Sequence, residues 1–229
     1  MNRRNARSAA AVAVALLAIS SIAGVRSTAG DDATRAAIAI GTGSELTITG
    51  TSTMHDWESK TSVITMTFTR APGQADPADA AGIAALVKSS GIATADVDLP
   101  VAKFHSHKDG LDKNMMKSLK SDQFPSITFH MDRYAVAGPA TGDTISLTAD
   151  GTLTVCGKPK KLTLAAKAWM SDKGLWVAGS QPLNMTDFGV KPPTMMMGAI
   201  KTGDRVVIHY QLLLAPAALP TGSAAQTEK

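Results

Sequence analysis

The sequence predicts an all-β domain, a sandwich or a barrel, that is interrupted by one or two short helical insertions. Apolar and polar residues alternate through most of the chain after residue 44, beginning with residues 45–49 and 63–69. Such period-two alternation indicates strands that bury one face. Turn-forming residues such as Lys173 and Gly174 separate the alternating runs. Several short strands spaced in this way are typical of sandwiches and barrels.

Further strands are predicted along the rest of the chain. They cover residues 92–101, 127–131, 144–155, 162–166, 175–179 and 206–214. Within the third run, 92–101, the alternation places Ala93 on the same face as Ala95. The run 144–155 contains Asp150 and Gly151, a dipeptide that favours a turn.

Two segments carry a helical pattern instead. Residues 76–88 are rich in alanine and begin with Asp76 and Pro77, a helix-start signal. Residues 109–121 begin with Asp109, which we expect to cap the helix. The apolar sides of the two helices are formed by Ile83, Leu86 and Val87, and by Leu111, Met115 and Leu119.

Residues 1–29 have the composition of a secretory signal peptide. Arg3, Arg4 and Arg7 precede an almost unbroken apolar run at residues 9–23, and small residues follow. The apolar run is shorter than the roughly 20 residues that a membrane-spanning helix needs. The sequence therefore predicts an exported protein, periplasmic or secreted, with no integral membrane segment in the mature chain.

The positive net charge belongs to this signal segment. The whole chain has 23 Lys and Arg against 19 Asp and Glu, and residues 1–29 contain four arginines and no acid. Without those arginines the two counts are equal and the mature chain is neutral. Nucleic-acid binding is therefore not predicted, because it requires a concentrated basic surface.

No catalytic motif or cofactor site is predicted. The chain has no Gly-rich phosphate loop, no Gly-x-Ser-x-Gly elbow and no His-Glu-x-x-His pair. Cys156 is the single cysteine, which excludes an internal disulfide and a multi-cysteine zinc site. Residues 215–229 lack periodicity and predict a disordered tail.

Four segments together resemble a known family. They are residues 50–57 (GTSTMHDW), residues 112–129 with Phe124 and Pro125, residues 151–164 around Cys156, and residues 187–193. In this order and spacing they resemble the YceI-like family, and the resemblance defines a domain at 38–214. It implies an extended, eight-stranded, antiparallel, lipocalin-like barrel in an exported bacterial protein that holds a polyisoprenoid chain in its lumen. The departures from the family are an alanine-rich insertion at 73–89 and Cys156.

We therefore expect a carrier that binds an isoprenoid, a quinone or another long apolar lipid without covalent chemistry, metal or cofactor. Homodimer formation stays open. The side chains expected to contact the ligand, in the lumen or at its mouth, are His55, Trp57, Met66, Phe68, Phe104, Phe129, Met131, Trp176, Phe188 and Met196.

Two alternatives stay open at this stage. The first is a periplasmic, copper-type metal protein that uses His105, His107 and the thioethers of residues 195–197, since thioethers select Cu(I). The second is a solid-core barrel that acts as a stress or interaction module. Alternation alone cannot separate them from the carrier, because the same apolar residues fill a core or line a cavity.

Overall fold

A strongly curled antiparallel sheet dominates the computed structural model, which describes residues 38–137 and 144–217. The strands are β1 (Ile38–Ile40), β2 (Glu45–Ser52), β3 (Trp57–Thr61), β4 (Thr65–Arg70), β5 (Ile92–Pro100), β6 (Ser126–Ala137), β7 (Thr144–Val155), β8 (Lys158–Ser171), β9 (Gly174–Asn184), β10 (Thr194–Met195) and β11 (Ile200–Pro216). The helices are α1 (Ala80–Lys88) and α2 (Asp109–Ser118). Short 3₁₀ turns cover Val101–Lys103, Met185–Phe188 and Met196–Gly198.

The chain itself joins the two edges of the curled sheet. Its strands follow the order β3-β2-β11-β9-β8-β7-β6-β5-β4. The two outermost strands, β3 and β4, are consecutive in sequence and separated only by residues 62–64, so one extended run pairs first with β2 and then with β5. A backbone bridge between Lys60 and His105 also ties β3 to the segment that follows β5.

The strand pairing agrees with the predicted all-β, barrel-like fold class. β1 continues the course of β2 along the same side of β11. β3 and β4 form one run, and β10 contributes only a two-residue pairing with β11. Counted in this way, eight antiparallel strands surround the interior, with two short helical insertions.

Two bulges interrupt the strand alternation and change which residues face inward. In β5 the register shifts at Ala93, so that Ile92 is buried and Ala93 is not. In β6 the register shifts at Asp132, after which Tyr134 takes the inward position. The expected inward position of Ala93 was therefore wrong, because a bulge reverses the alternation on one side of it.

Asp150 and Gly151 do not form a turn, in contrast to the sequence prediction. β7 runs through both residues without a break. A Cβ on Gly151 would lie 2.3 Å from the carbonyl oxygen of His130 and 2.6 Å from Cζ of Phe129. The glycine therefore allows the Phe129 ring to lie across β7, which is one reason for a glycine within a strand.

Both predicted helices are present, but α1 starts later than predicted and α2 has a different residue at its cap position. α1 begins at Ala80, and its cap is Asp79, whose carboxylate accepts a hydrogen bond from the Gly82 amide at 2.7 Å. Asp109 is the first residue of α2 and does not cap it; Lys108 occupies the cap position without a side-chain bond. Neither helix, within the part of the chain described, has the length and apolar character needed to cross a bilayer.

Five strands, β2, β6, β8, β9 and β11, are longer than the sequence predicted, and β1, β3 and β10 were not predicted. β11 extends to Pro216, two residues into the segment assigned to the tail, where it pairs with β1. The predicted signal segment and residues 218–229 lie outside the described residues.

Candidate functional site: two apolar cavities in series

An apolar cavity of about 200 Å³ lies inside the barrel, and we call it the inner cavity. Eight strands contribute to its wall, and it contains no charged residue among those described. Gln181, Tyr134 and Tyr210 are its only polar lining residues in that part of the chain. The aliphatic and aromatic lining includes Met66, Phe68, Ala95, Val97, Leu99, Phe104, Phe129, Met131, Leu147, Leu153, Leu164, Val177 and Leu212.

The polar groups of this wall bond to the protein's own backbone. The Tyr210 hydroxyl donates to the carbonyl oxygen of Ala165 at 2.9 Å, and the Tyr134 hydroxyl donates to that of Val87 at 2.8 Å. The Gln181 amide donates to the carbonyl oxygen of Pro182 at 3.2 Å. Because these donors already have partners, the inner cavity offers a guest mainly carbon surface.

Burial keeps both tyrosines neutral. It raises the pKa of Tyr210 to about 12. It also raises the pKa of Tyr134, against an opposing hydrogen bond from the backbone of Ile92. A phenol whose ionised form loses hydration stays protonated at neutral pH, so neither ring introduces charge into the cavity.

Tyr210 reaches Ala165 because β9 carries a glycine between them. A Cβ on Gly179 would lie 2.3 Å from the Tyr210 hydroxyl oxygen and 2.4 Å from the Ala165 carbonyl oxygen. The Tyr210 side chain therefore lies flat across β9 from β11 toward β8, and leaves the centre of the barrel open.

A second cavity of about 400 Å³ lies at one end of the barrel, and we call it the mouth cavity. Leu111, Met115 and Leu119 line it from the side of α2, which confirms the apolar face predicted for that helix. Its lining is more polar than that of the inner cavity. The polar members include Ser52, His55, Lys108, Asn114, Ser118, Asn184 and Thr202.

The two cavities share four aliphatic residues, which we call the neck: Ile48, Ile127, Leu183 and Ile208. These residues come from β2, β6, β9 and β11, and therefore from around the barrel wall. Since each neck residue contacts both spaces, the inner and mouth cavities lie in series along the barrel.

Most of the predicted ligand-contacting residues fall into these two groups. Met66, Phe68, Phe104, Phe129 and Met131 line the inner cavity. His55, Trp57 and Phe188 line the mouth cavity, where the Trp57 indole donates to the carbonyl oxygen of Thr51 at 3.3 Å. Met196 belongs to the 3₁₀ turn Met196–Gly198, and its side chain lies outside the described part of the structure.

Trp176 does not line either cavity, contrary to its predicted position. Its neighbour Val177 faces inward, so Trp176 points to the outer face of β9. There it stacks on Trp169 of β8, with ring centroids 6.5 Å apart and planes inclined by 20°. The sequence could not fix this orientation because Leu175, Trp176 and Val177 are all apolar.

Within the described residues, the two histidines of the metal alternative do not belong to a cluster of metal ligands. His105 is exposed, and its Nδ1 lies 3.7 Å from a carboxylate oxygen of Asp112. His107 lies in a left-handed turn at φ 59°. Across 38–137 and 144–217, no three His, Cys, Asp or Glu side chains cluster as they would around a metal ion.

Sequence reasoning missed the neck, the two tyrosines and the part of α2 at the mouth cavity. Tyr134 was missed because the bulge at Asp132 changes which residues of β6 face inward. Tyr210 lies within the predicted run 206–214 on the same face as Ile208, and that spacing could have identified it.

Comparisons with known proteins agree with this architecture. The sequence matches the YceI-like domain over residues 32–214. No curated protein shows a significant match to the chain.

Solved structures with related folds include two proteins of low sequence identity. One is BcnA from Burkholderia cenocepacia, at 17% identity and a TM-score of 0.54, covering 74% of this chain and 94% of that one. Another is a polyisoprenoid binding domain from Saccharophagus degradans implicated in plant cell wall breakdown. It has 12% identity and a TM-score of 0.57, and the match covers 79% of this chain and 99% of that one. Because the family match spans nearly all of the described barrel, the protein belongs to the YceI-like domain family.

Proposed function

We propose that this protein is an exported, non-enzymatic carrier that holds a long apolar lipid, of isoprenoid or quinone type, in the inner cavity. The observation that carries the proposal is the chemistry of that cavity, whose polar lining groups donate to the protein's own backbone. A polar substrate would lose its hydration there without gaining partners. A hydrocarbon chain would lose only unfavourable contact with water.

The expected affinity comes from the tail of the ligand. Burying apolar surface yields about 0.8 kcal/mol for each CH₂-sized group, so a few isoprene units contribute several kcal/mol. Met66 and Met131 lie among the lining residues, and their flexible thioethers suit an irregular or mobile guest. The more polar mouth cavity would then face the head of the molecule.

Family membership and a neighbour support the same function. The Saccharophagus degradans domain is described as a polyisoprenoid binding domain. The signal-like composition of residues 1–29 supports export. A solid-core barrel, by contrast, predicts a filled interior, and the inner cavity weighs against it.

Native mass spectrometry tests the proposal directly. Protein purified from its own cells or from an expression host should carry a lipid of discrete mass. A clean apo mass, with no uptake of added prenol or quinone, would contradict the carrier. Elemental analysis of the same sample tests the metal alternative, since a stoichiometric metal that is lost in His105→Ala would favour it.

A matched pair of variants ties the lipid to the inner cavity. Ala95 is 5% exposed and lines the cavity, so Ala95→Trp should fill part of it and remove the lipid. Ala135 is exposed on β6, so Ala135→Trp adds the same ring outside and should retain the lipid. Equal lipid content in the two folded variants would place the ligand elsewhere.

A further inference from the structure

The inner cavity ends at α1. Val87 is 3% exposed and contributes to the cavity lining, while Ile83 and Leu86 of the same helix are buried in the surrounding core. Tyr134 lines the cavity beside Val87 and binds its backbone carbonyl. We call Val87 and Tyr134 the floor.

Buried residues of α1 and of the surrounding strands form one hydrophobic cluster around this floor. The buried cluster contains residues from β1, β4, β5, β7, β8, β9 and β11: Ile38, Phe68, Ile92, Ala95, Ile145, Leu147, Ala168, Leu175 and Leu214. A separate cluster, which includes the neck residues Ile48 and Ile127, surrounds the opposite half of the barrel. The inner cavity contacts both clusters, so it runs from the neck to the floor.

The floor is held in place from two directions. Asp79 caps the start of α1 through the Gly82 amide, and Tyr134 holds the end of the helix through the Val87 carbonyl. With the helix anchored at both ends and its apolar side buried, a guest cannot extend past it without displacing packed core residues, which is costly.

We infer that the site takes one linear apolar chain tail-first from the mouth cavity, and that Val87 and Tyr134 set the longest tail that fits. This inference rests on the proposed function. It assigns α1, which lies within the alanine-rich segment 73–89, a role in selecting ligands by length.

A closed floor predicts a particular dependence of affinity on length. Each added isoprene unit strengthens binding while it remains inside, because more apolar surface leaves water. Once the tail reaches the floor, further units stay outside or strain the protein, and affinity stops rising. A tunnel open at both ends would show no such limit.

The experiment measures binding of all-trans prenols, from geraniol to solanesol, to lipid-stripped full-length protein. Val87→Trp raises the floor and should reduce the maximum length of prenol tail that fits. Affinity for the longest prenol that the unmodified protein accommodates should then fall by roughly tenfold or more. Val87→Ala lowers the floor and should shift the limit to longer prenols. Ala85→Trp, on the exposed side of the same helix, is the matched control and should keep the original limit.

The outcomes separate the inference from the proposed function. An unchanged limit in folded Val87→Trp and Val87→Ala overturns the floor while leaving the carrier intact. If Val87→Trp does not fold, Val87→Ala decides the question alone. Absence of binding at every length in the unmodified protein overturns the carrier, and the floor with it.

Discussion

The two helical insertions of the barrel differ in how firmly they are attached. α1 buries Ile83, Leu86 and Val87, and its first turn is capped by Asp79. α2 has no fully buried residue and no side-chain cap. Segments with few buried contacts open locally at lower cost than the core does. We therefore expect the end of the barrel at α1 to stay closed, and the end at α2, beside the mouth cavity, to open more easily.

The largest expected difference between the two ends is in core packing. Ile83 is fully buried, so Ile83→Ala should lower the free energy of unfolding by about 2–5 kcal/mol through lost burial and the cavity left behind. Leu111 lines the mouth cavity and is only partly buried, so Leu111→Ala should cost clearly less. Denaturant titration measures both values, and equal losses would remove the distinction between the ends.

A smaller difference in stability is expected between variants in the first turns of the two helices. Asp79→Ala removes the hydrogen bond to the Gly82 amide and should cost about 1 kcal/mol of stability. Asp109→Ala removes only an exposed acid from the first turn of α2, where the helix dipole accounts for about 0.3–1 kcal/mol. Thermal melts of the two variants compare them, and a greater loss for Asp109→Ala would contradict the assigned caps.

An effect of similar size is expected for the hydroxyl that holds the floor. Tyr134→Phe removes the bond to the Val87 carbonyl and should cost about 0.5–1.5 kcal/mol at neutral pH. Hydrogen exchange should then become faster in α1 and remain unchanged in α2. Faster exchange in α2 alone would show that the hydroxyl does not hold α1.

The same variant has a distinct pH dependence. Burial raises the pKa of Tyr134 above 10.0, so above that pH the unfolded chain releases this proton while the folded chain retains it. Stability from this group is complete below pH 10 and decreases as pH rises toward the folded pKa. Tyr134→Phe should reduce the alkaline loss of stability, as measured by denaturant titration at increasing pH.

The sequence predicted the strands and inward residues wherever alternation was regular. Met66 and Phe68 on β4, and Phe129 and Met131 on β6, lie on the inner side as expected. It failed at the bulges, because one extra residue reverses the alternation without any signal that a single sequence displays. Ala93 and Tyr134 were misassigned or missed for this reason.

The candidate site was less predictable than the fold. His55 and Trp57 line the mouth cavity as expected, but the neck residues could not be identified. Four aliphatic residues on separate strands meet only through the closure of the sheet, which depends on long-range pairing. Similarly, the side of Trp176 in the run Leu175–Val177 was decided by the pairing of β9 with its neighbours and not by local pattern.

The position of β11 between β2 and β9 has a consequence for how the chain matures. The final strand completes the sheet, and its pairing with β2 joins residues about as far apart as the domain allows. Such pairing is slow to form. Until it forms, two neighbours expose unpaired backbone, which promotes aggregation. A chain shortened within β11 would therefore aggregate during synthesis and would not yield a smaller barrel.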